Sequence, residues 1–233
     1  MNLIKHFVRI NSTESTKRYR NGCHTNTSPK TISGAQPTCQ VTVDGRRTVL
    51  SDKAETILDQ VYKTYVGDYP KFHKMDPLCR VGFVASELLL TAEGRRDEQW
   101  GETRAIVLVN AASSLADDRK YQSTIDDPET AYPSPSLFVY TLPNVLTGEI
   151  AIRNHCYGET NFIVLPEFDC DTIANAIETT FADQTTETLL TGWVDCYSET
   201  DFDVLMFIVE RDAVKNVAEL SNEIQRLRDF IAE

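Results

Sequence analysis

Residues 135–172, PSLFVYTLPNVLTGEIAIRNHCYGETNFIVLPEFDCDT, together with TGWVD at 191–195, decide how this chain is read. Ser136 to Ile152 has helical spacing with Pro143 inside it. Proline lacks an N–H and clashes with the preceding turn, so a break near Leu142 is expected. NFIVL at 161–165 is a short, continuous apolar run ended by Pro166. It reads as a buried strand. Asp169 or Asp171 then starts a helix over about 170–182.

Working outward, LLTGWVDCY (189–197) and DVLMFIVE (203–210) read as strands. The segment 213–232 reads as an amphipathic helix, with Val214, Val217, Leu220, Ile224, Leu227 and Ile231 on one stripe. Upstream, AIVLVN at 105–110 is a strand covered on both faces. Asp76 caps a helix over 77–91, and Pro77 sits at its first position, where a missing N–H costs little. Ser51 or Asp52 caps another helix over 52–66, with Ile57, Leu58, Val61 and Tyr65 at helical spacing. LIKHFVRI at 3–10 is a first strand. The polar stretch from Asn11 to about Arg47 reads as a surface arm in which only QVTV (40–43) is strand-like. The segment 111–135 reads as loop.

Buried strands alternating with helices predict an α/β fold, a mixed sheet covered by helices. The order is strand–helix–strand–helix–strand–helix–strand–strand. The expected division is an N-terminal strand and arm (1–50), a main domain (51–212) and a C-terminal helix (213–233).

The 233 residues are 41% hydrophobic, enough for a core, and carry a formal charge of −12. That charge argues against general nucleic-acid or membrane-surface binding, because polyphosphates and anionic lipids would be repelled. No apolar run approaches the roughly 20 residues needed to span a bilayer. The first residues lack the pattern of a secretory signal, so a cytoplasmic protein is expected. Six cysteines (Cys23, Cys39, Cys79, Cys156, Cys170, Cys196) are scattered without metal-ligand spacing. Neither structural zinc nor a disulfide framework is expected. Asp117, Asp118, Asp126 and Asp127 lack the spacing and glycine of a calcium loop and read as solvated. SSLADD has no histidine nearby to complete a hydrolase triad. No cofactor is implied.

With Asn144, Gly148, Gly158 and Gly192 at their spacing, 135–192 resembles the N-terminal half of the β-ketoacyl synthases, within the thiolase-like superfamily. YPKFHKMDPLCRVGFVASELLL (69–90) and RAIVLVNAASSLADD (104–118) resemble that family's earlier helix and strand. The resemblance implies a thiolase-like half-fold over roughly 70–210. It also implies that a reactive cysteine should stand at the sharp turn after 161–165. In that register the position holds Glu167. A carboxylate is a poor acyl acceptor, since the anhydride it would form is higher in energy than the thioester it replaces. Cys170 lies three residues further on, about 4.5 Å along a helix axis. Its neighbours Asp169 and Asp171 raise a thiol's pKa.

The four histidines are His6, His24, His73 and His155, and none follows residue 155. The family draws its decarboxylating imidazoles from the second half of the fold, so base and oxyanion groups are missing from this pattern. The resemblance therefore implies a non-catalytic, chain-length-factor-like subunit. Its expected partner is an active ketosynthase, in a hetero- or homodimer, with acyl carrier protein engaged through that partner. Phe162, Ile163, Val164 and Leu165 would form the dimer edge. The segment YPKFHKMD and the length are most like small proteins of aryl-polyene or flexirubin pathways. Two alternatives stay open. One is an enzyme, a 3-oxoacyl carrier-protein synthase using Cys170 or a carboxylate-assisted malonyl carrier-protein decarboxylase. The other is a scaffold or binding protein on the same fold. Half of a duplicated fold is also expected to leave an apolar face in water, hinted at by the broadly apolar helix 77–91 and covered in part by 213–232.

Overall fold

The computed structural model describes residues 3–12, 38–51, 56–95 and 100–230. One seven-stranded mixed sheet organises them, in the order β3-β2-β1-β7-β6-β4-β5. The strands are β1 (Ile4–Ser12), β2 (Thr38–Val43), β3 (Arg46–Ser51), β4 (Arg104–Asn110), β5 (Thr160–Val164), β6 (Thr188–Ser198) and β7 (Asp201–Glu210). β4 runs parallel to both β5 and β6, whereas β7 is antiparallel to β6 and β1. β6 and β7 form the centre, and nearly all their residues are buried.

Helices cover both faces. On one side lie α1 (Ile57–Tyr65), α2 (Pro77–Glu93) and α5 (Val145–Asn154), whose Leu58, Val61, Phe83, Leu89, Leu146 and Ile150 share a core with Val8, Ile106 and Met206. On the other side lie α6 (Cys170–Thr180) and α7 (Val217–Phe230). Their Ile173, Ile177, Leu220 and Ile224 pack on Trp193, Leu205 and Phe207. Each such side chain taken from water contributes about 1.5–3 kcal/mol. Two short helices, α3 (Leu115–Ser123) and α4 (Pro135–Tyr140), precede α5. The break at Pro143 falls between α4 and α5, as proline chemistry requires.

Capping sets the main helix starts. Asp76 accepts from the N–H groups of Leu78 and Cys79, and Pro77 takes the first helical position. Asp169 does the same for α6 with Asp171 and Thr172. Thr56 caps α1, so that helix begins at Ile57 rather than near residue 52. Ser51 instead ends β3, and Asp52 lies outside the described residues.

Several expectations need correction. β5 is not a buried strand: it is the outermost strand of the sheet, with Thr160, Asn161 and Val164 exposed. The helix α2 offers no apolar face to water, because every residue from Pro77 to Leu90 is buried within this chain. On the other side, α6 turns Asp171, Asn175, Glu178 and Thr179 outward, and α7 turns Glu219, Asn222, Gln225 and Arg226 outward. The outer helix layer is therefore polar. The segment 111–135 contains α3, and its Asp117 is 1% exposed rather than solvated.

Candidate functional site

The turn between β5 and α6 is built by three local rules. Leu165 N donates to Asn110 O at 2.8 Å, the last bond joining this strand to β4. Pro166 has no N–H to continue the ladder. Asp169 then gathers the free N–H groups of the first turn of α6, its Oδ1 accepting from Asp171 N at 2.9 Å and Thr172 N at 3.3 Å. Those bonds, led by the one from the Thr172 hydroxyl, hold the Asp169 carboxyl below the usual carboxylate range. Glu167 is left at the bend, exposed.

Cys170 opens α6 and is half-buried. A helix N-terminus lowers a thiol's pKa, yet this thiol is pushed up. Burial is the largest cause, followed by the charges of Asp169, Asp171 and Asp229. Its Sγ donates to Gln225 Oε1 at 2.8 Å, which occupies the sulfur with a neighbour on α7. The three described histidines pair elsewhere: His6 with Asp44 at 2.9 Å, His73 with Asp59 at 3.6 Å, and His155 with the Tyr157 hydroxyl at 3.3 Å. His155 precedes β5 whereas the turn follows it, so the strand's length separates the two. His24 and Cys23 lie outside the described residues. Among the described residues no three His, Cys, Asp or Glu side chains gather as a metal site. No described helix is long and apolar enough to cross a membrane.

The helix α7 clamps this turn, which nothing local in the sequence signals. Arg228 stacks over Phe168, 4.6 Å from the ring centre, and Phe168 in turn meets Trp193 edge-on at 5.5 Å. The same guanidinium reaches buried Asp203 at 2.6 Å, and Arg9 pairs with the other oxygen of that carboxylate. Ser221 donates to Asp171, and Glu223 accepts from the N–H groups of Leu3 and Ile4. The region after Glu167 is thus held from behind by residues about 50 positions away.

The four fold-motif positions serve separate tasks. Gly192 lies in β6 at φ +138°, where an added Cβ would stand 2.1 Å from Leu205 O in β7. Only glycine fits there. Gly158 lies against β4, and a Cβ would meet Arg104 O at 2.5 Å. Gly148 differs: nothing lies within 4 Å of its Cβ position. It falls on an open strip of α5 between exposed Asn144 and Ile152, residues spaced by four and hence on one face. Asn144 starts that helix without a side-chain cap bond.

The chemistry available at the turn is an exposed carboxylate beside an occupied, protonated thiol. Around it runs an open strand edge. In a parallel pair, alternate residues of the outer strand face inward. Glu159 accepts from Ile106 N, and Leu165 donates to Asn110 O, so odd-numbered residues bond to β4. The N–H groups of Phe162 and Val164 therefore point away from it. Near this edge and the preceding helices, Val164, Ile152, Tyr157, Phe138, Val139 and Leu142 are 48–68% exposed.

No protein-family model matches the sequence, and no curated protein matches it. Among the solved structures that share its fold are two assemblies of known kind. The ishigamide ketosynthase/chain length factor aligns over 89% of this chain and 61% of that one, at 18% identity and a TM-score of 0.59. The ketosynthase ApeO in complex with its chain length factor ApeC, from Xenorhabdus doucetiae, aligns over 89% of this chain and 77% of that one, at 11% identity and a TM-score of 0.52. The chain thus has the ketosynthase/chain-length-factor fold, and it spans about three-fifths of the length of the first of these proteins.

Proposed function

Starting from that shared fold, we propose that this chain is a non-catalytic, chain-length-factor-like subunit that pairs with an active β-ketoacyl synthase. The observation that carries the reading is the turn after β5. Where the resemblance calls for a nucleophilic cysteine, Glu167 stands exposed, and the nearest thiol is bonded to Gln225 with its pKa raised. A thiol held protonated attacks a thioester slowly, and no base is paired with it. The pairing surface is β5 with Phe162, Ile163, Val164 and Leu165, extended by the exposed strip Asn144–Gly148–Ile152 of α5. An edge strand with outward N–H groups is a template for a partner strand. Carrier protein is engaged through the partner, in the cytoplasm, in an aryl-polyene type of fatty-acid or polyketide synthesis.

The test uses Val164→Pro. Val164 spends no N–H on β4, and proline is tolerated on edge strands. The variant keeps the fold but loses one outward donor at the C-terminal end of the edge strand. Co-expressed with an active ketosynthase of an aryl-polyene pathway, the wild-type chain co-purifies with it and Val164→Pro does not. Pairing unaffected by the substitution would move the interface elsewhere. Elongation of an acyl thioester by the wild-type chain purified alone would overturn the non-catalytic reading in favour of an enzyme.

A further inference from the structure

Behind the proposed pairing surface, where α2, α3, α4 and α5 meet, two buried carboxyl groups face each other. Asp76, 5% exposed, caps α2 and receives N–H donors from Leu78 at 3.0 Å and Cys79 at 3.2 Å. Such a donor pair suits a carboxylate. Asp117, 1% exposed in the first turn of α3, lies in hydrogen-bond reach of Asp76. Its Oδ2 is buried and meets no donor from the protein. Two carboxylates cannot bond each other without a proton between them. With Asp76 already accepting twice, Asp117 is the oxygen that carries it.

We propose that Asp117 and Asp76 form a proton-held clasp that fastens α3, and with it α4, onto the start of α2. The other titratable or charged groups around the pair leave it short of positive charge. Glu149 of α5 is taken up by Lys71 at 2.7 Å, and Lys120 of α3 is half-exposed and 3.9 Å from Asp117. Among the described residues, Asp118 of α3, Cys79 of α2, Tyr140 of α4 and Cys196 of β6 also interact with the pair, and none of them is a cation. Burial, then Asp76, pushes the Asp117 carboxyl up to about 7. Because the folded value lies above the ordinary 3.8, the clasp is fully fastened below that ordinary value. It loosens as pH rises through about 7. The helix α4 follows α3: Tyr121 and Phe138 rings meet at 5.4 Å, and Ser114 donates to Thr141 O. Loosening would therefore free the exposed Phe138, Val139 and Leu142, which precede the α5 strip of the pairing surface. That last consequence rests on the pairing proposed above, whereas the clasp itself does not.

Amide hydrogen exchange of the full chain, corrected for the intrinsic pH dependence of exchange, tests it. The opening equilibrium of the amides in 115–123 should rise about tenfold per pH unit between roughly pH 4 and 7, then level off. In Asp117→Asn, whose amide donates to Asp76 at every pH, the slope should vanish. A flat profile in the wild-type chain or a slope retained in Asp117→Asn would each overturn the clasp. Should Asp117→Asn fail to fold, carboxyl-carbon NMR of the wild-type chain decides instead. Titration of Asp117 near 7 supports the clasp, and titration in the ordinary carboxylate range overturns it.

Discussion

Replacing Gly192 by alanine should be among the most damaging single-methyl additions this chain can receive. The new Cβ would sit 2.1 Å from Leu205 O and 2.8 Å from Met206 Cα, both backbone atoms of the neighbouring central strand. Backbone cannot swing aside as a side-chain tip can. Relief requires β6 and β7 to part by about 1 Å against a normal strand spacing of about 4.8 Å. Overpacking of this kind costs about 1–3 kcal/mol. The φ of +138° adds about 1–3 kcal/mol of backbone strain for any residue with a Cβ. We expect a loss of about 4 kcal/mol, a large part of the roughly 5–15 kcal/mol that stabilises a typical protein. With a urea slope of about 2–3 kcal/mol per molar, the unfolding midpoint should fall by roughly 1.3–2 M. Gly148→Ala is the internal control. It sits in α5 with open space around it, so alanine should stabilise the chain by about 0.5–1 kcal/mol. A Gly192→Ala midpoint within about 0.3 M of the wild type would refute the reasoning, because the two strands would then have yielded at almost no cost.

Three further outcomes follow from the same geometry. Arg228→Ala removes one of the two guanidinium groups paired with buried Asp203 and uncovers Phe168, so thermal or urea unfolding should register a loss of about 2–3 kcal/mol; no loss would mean that α7 is not clamped to the turn. Cys170 should react with a thiol reagent more slowly than free cysteine at pH 8, and its rate should keep rising above pH 9, because its raised pKa leaves little thiolate; a rate at or above that of free cysteine would show an activated thiol. Glu167→Cys should not form a condensation product from malonyl and acyl thioesters when assayed alone, because no histidine follows residue 155; product formation would show that other groups serve as base and oxyanion donors and would count against the proposed non-catalytic role.

Much of the fold could be read from local pattern. Pro143 split one helix into two because its chemistry leaves no alternative, and Asp76-Pro77 and Asp169 marked helix starts that hydrogen bonding to free N–H groups then realised. One hairpin was legible and overlooked. Asp44 and Gly45 both adopt positive φ, 47° and 82°, and turn β2 into β3. An Asp-Gly pair between polar and β-branched residues is the sequence signature of such a turn. The helix α3 was missed for a different reason. Its sequence LADDRKYQS has little apolar periodicity, and only Asp117 is buried.

The candidate site divides along the same line. That an acid stands three residues before Cys170 and that no histidine follows residue 155 are properties of residue order, and the sequence alone establishes them. So are the two aspartates that flank the cysteine and oppose its ionisation. Residue pattern alone does not mark β5 as an edge, because an apolar run looks the same whether it lies inside a sheet or at its margin; the family resemblance implied an edge there, and the tertiary structure places the strand at the end of the sheet. Tertiary structure also decided that α7 closes over the start of α6, that Asp117 is buried against Asp76, and that Gly192 rather than Gly148 is the glycine the sheet cannot replace. Each of those depends on which distant backbone or side chain arrives at the position. Periodicity and capping report on neighbours a few residues away and contain no record of such arrivals.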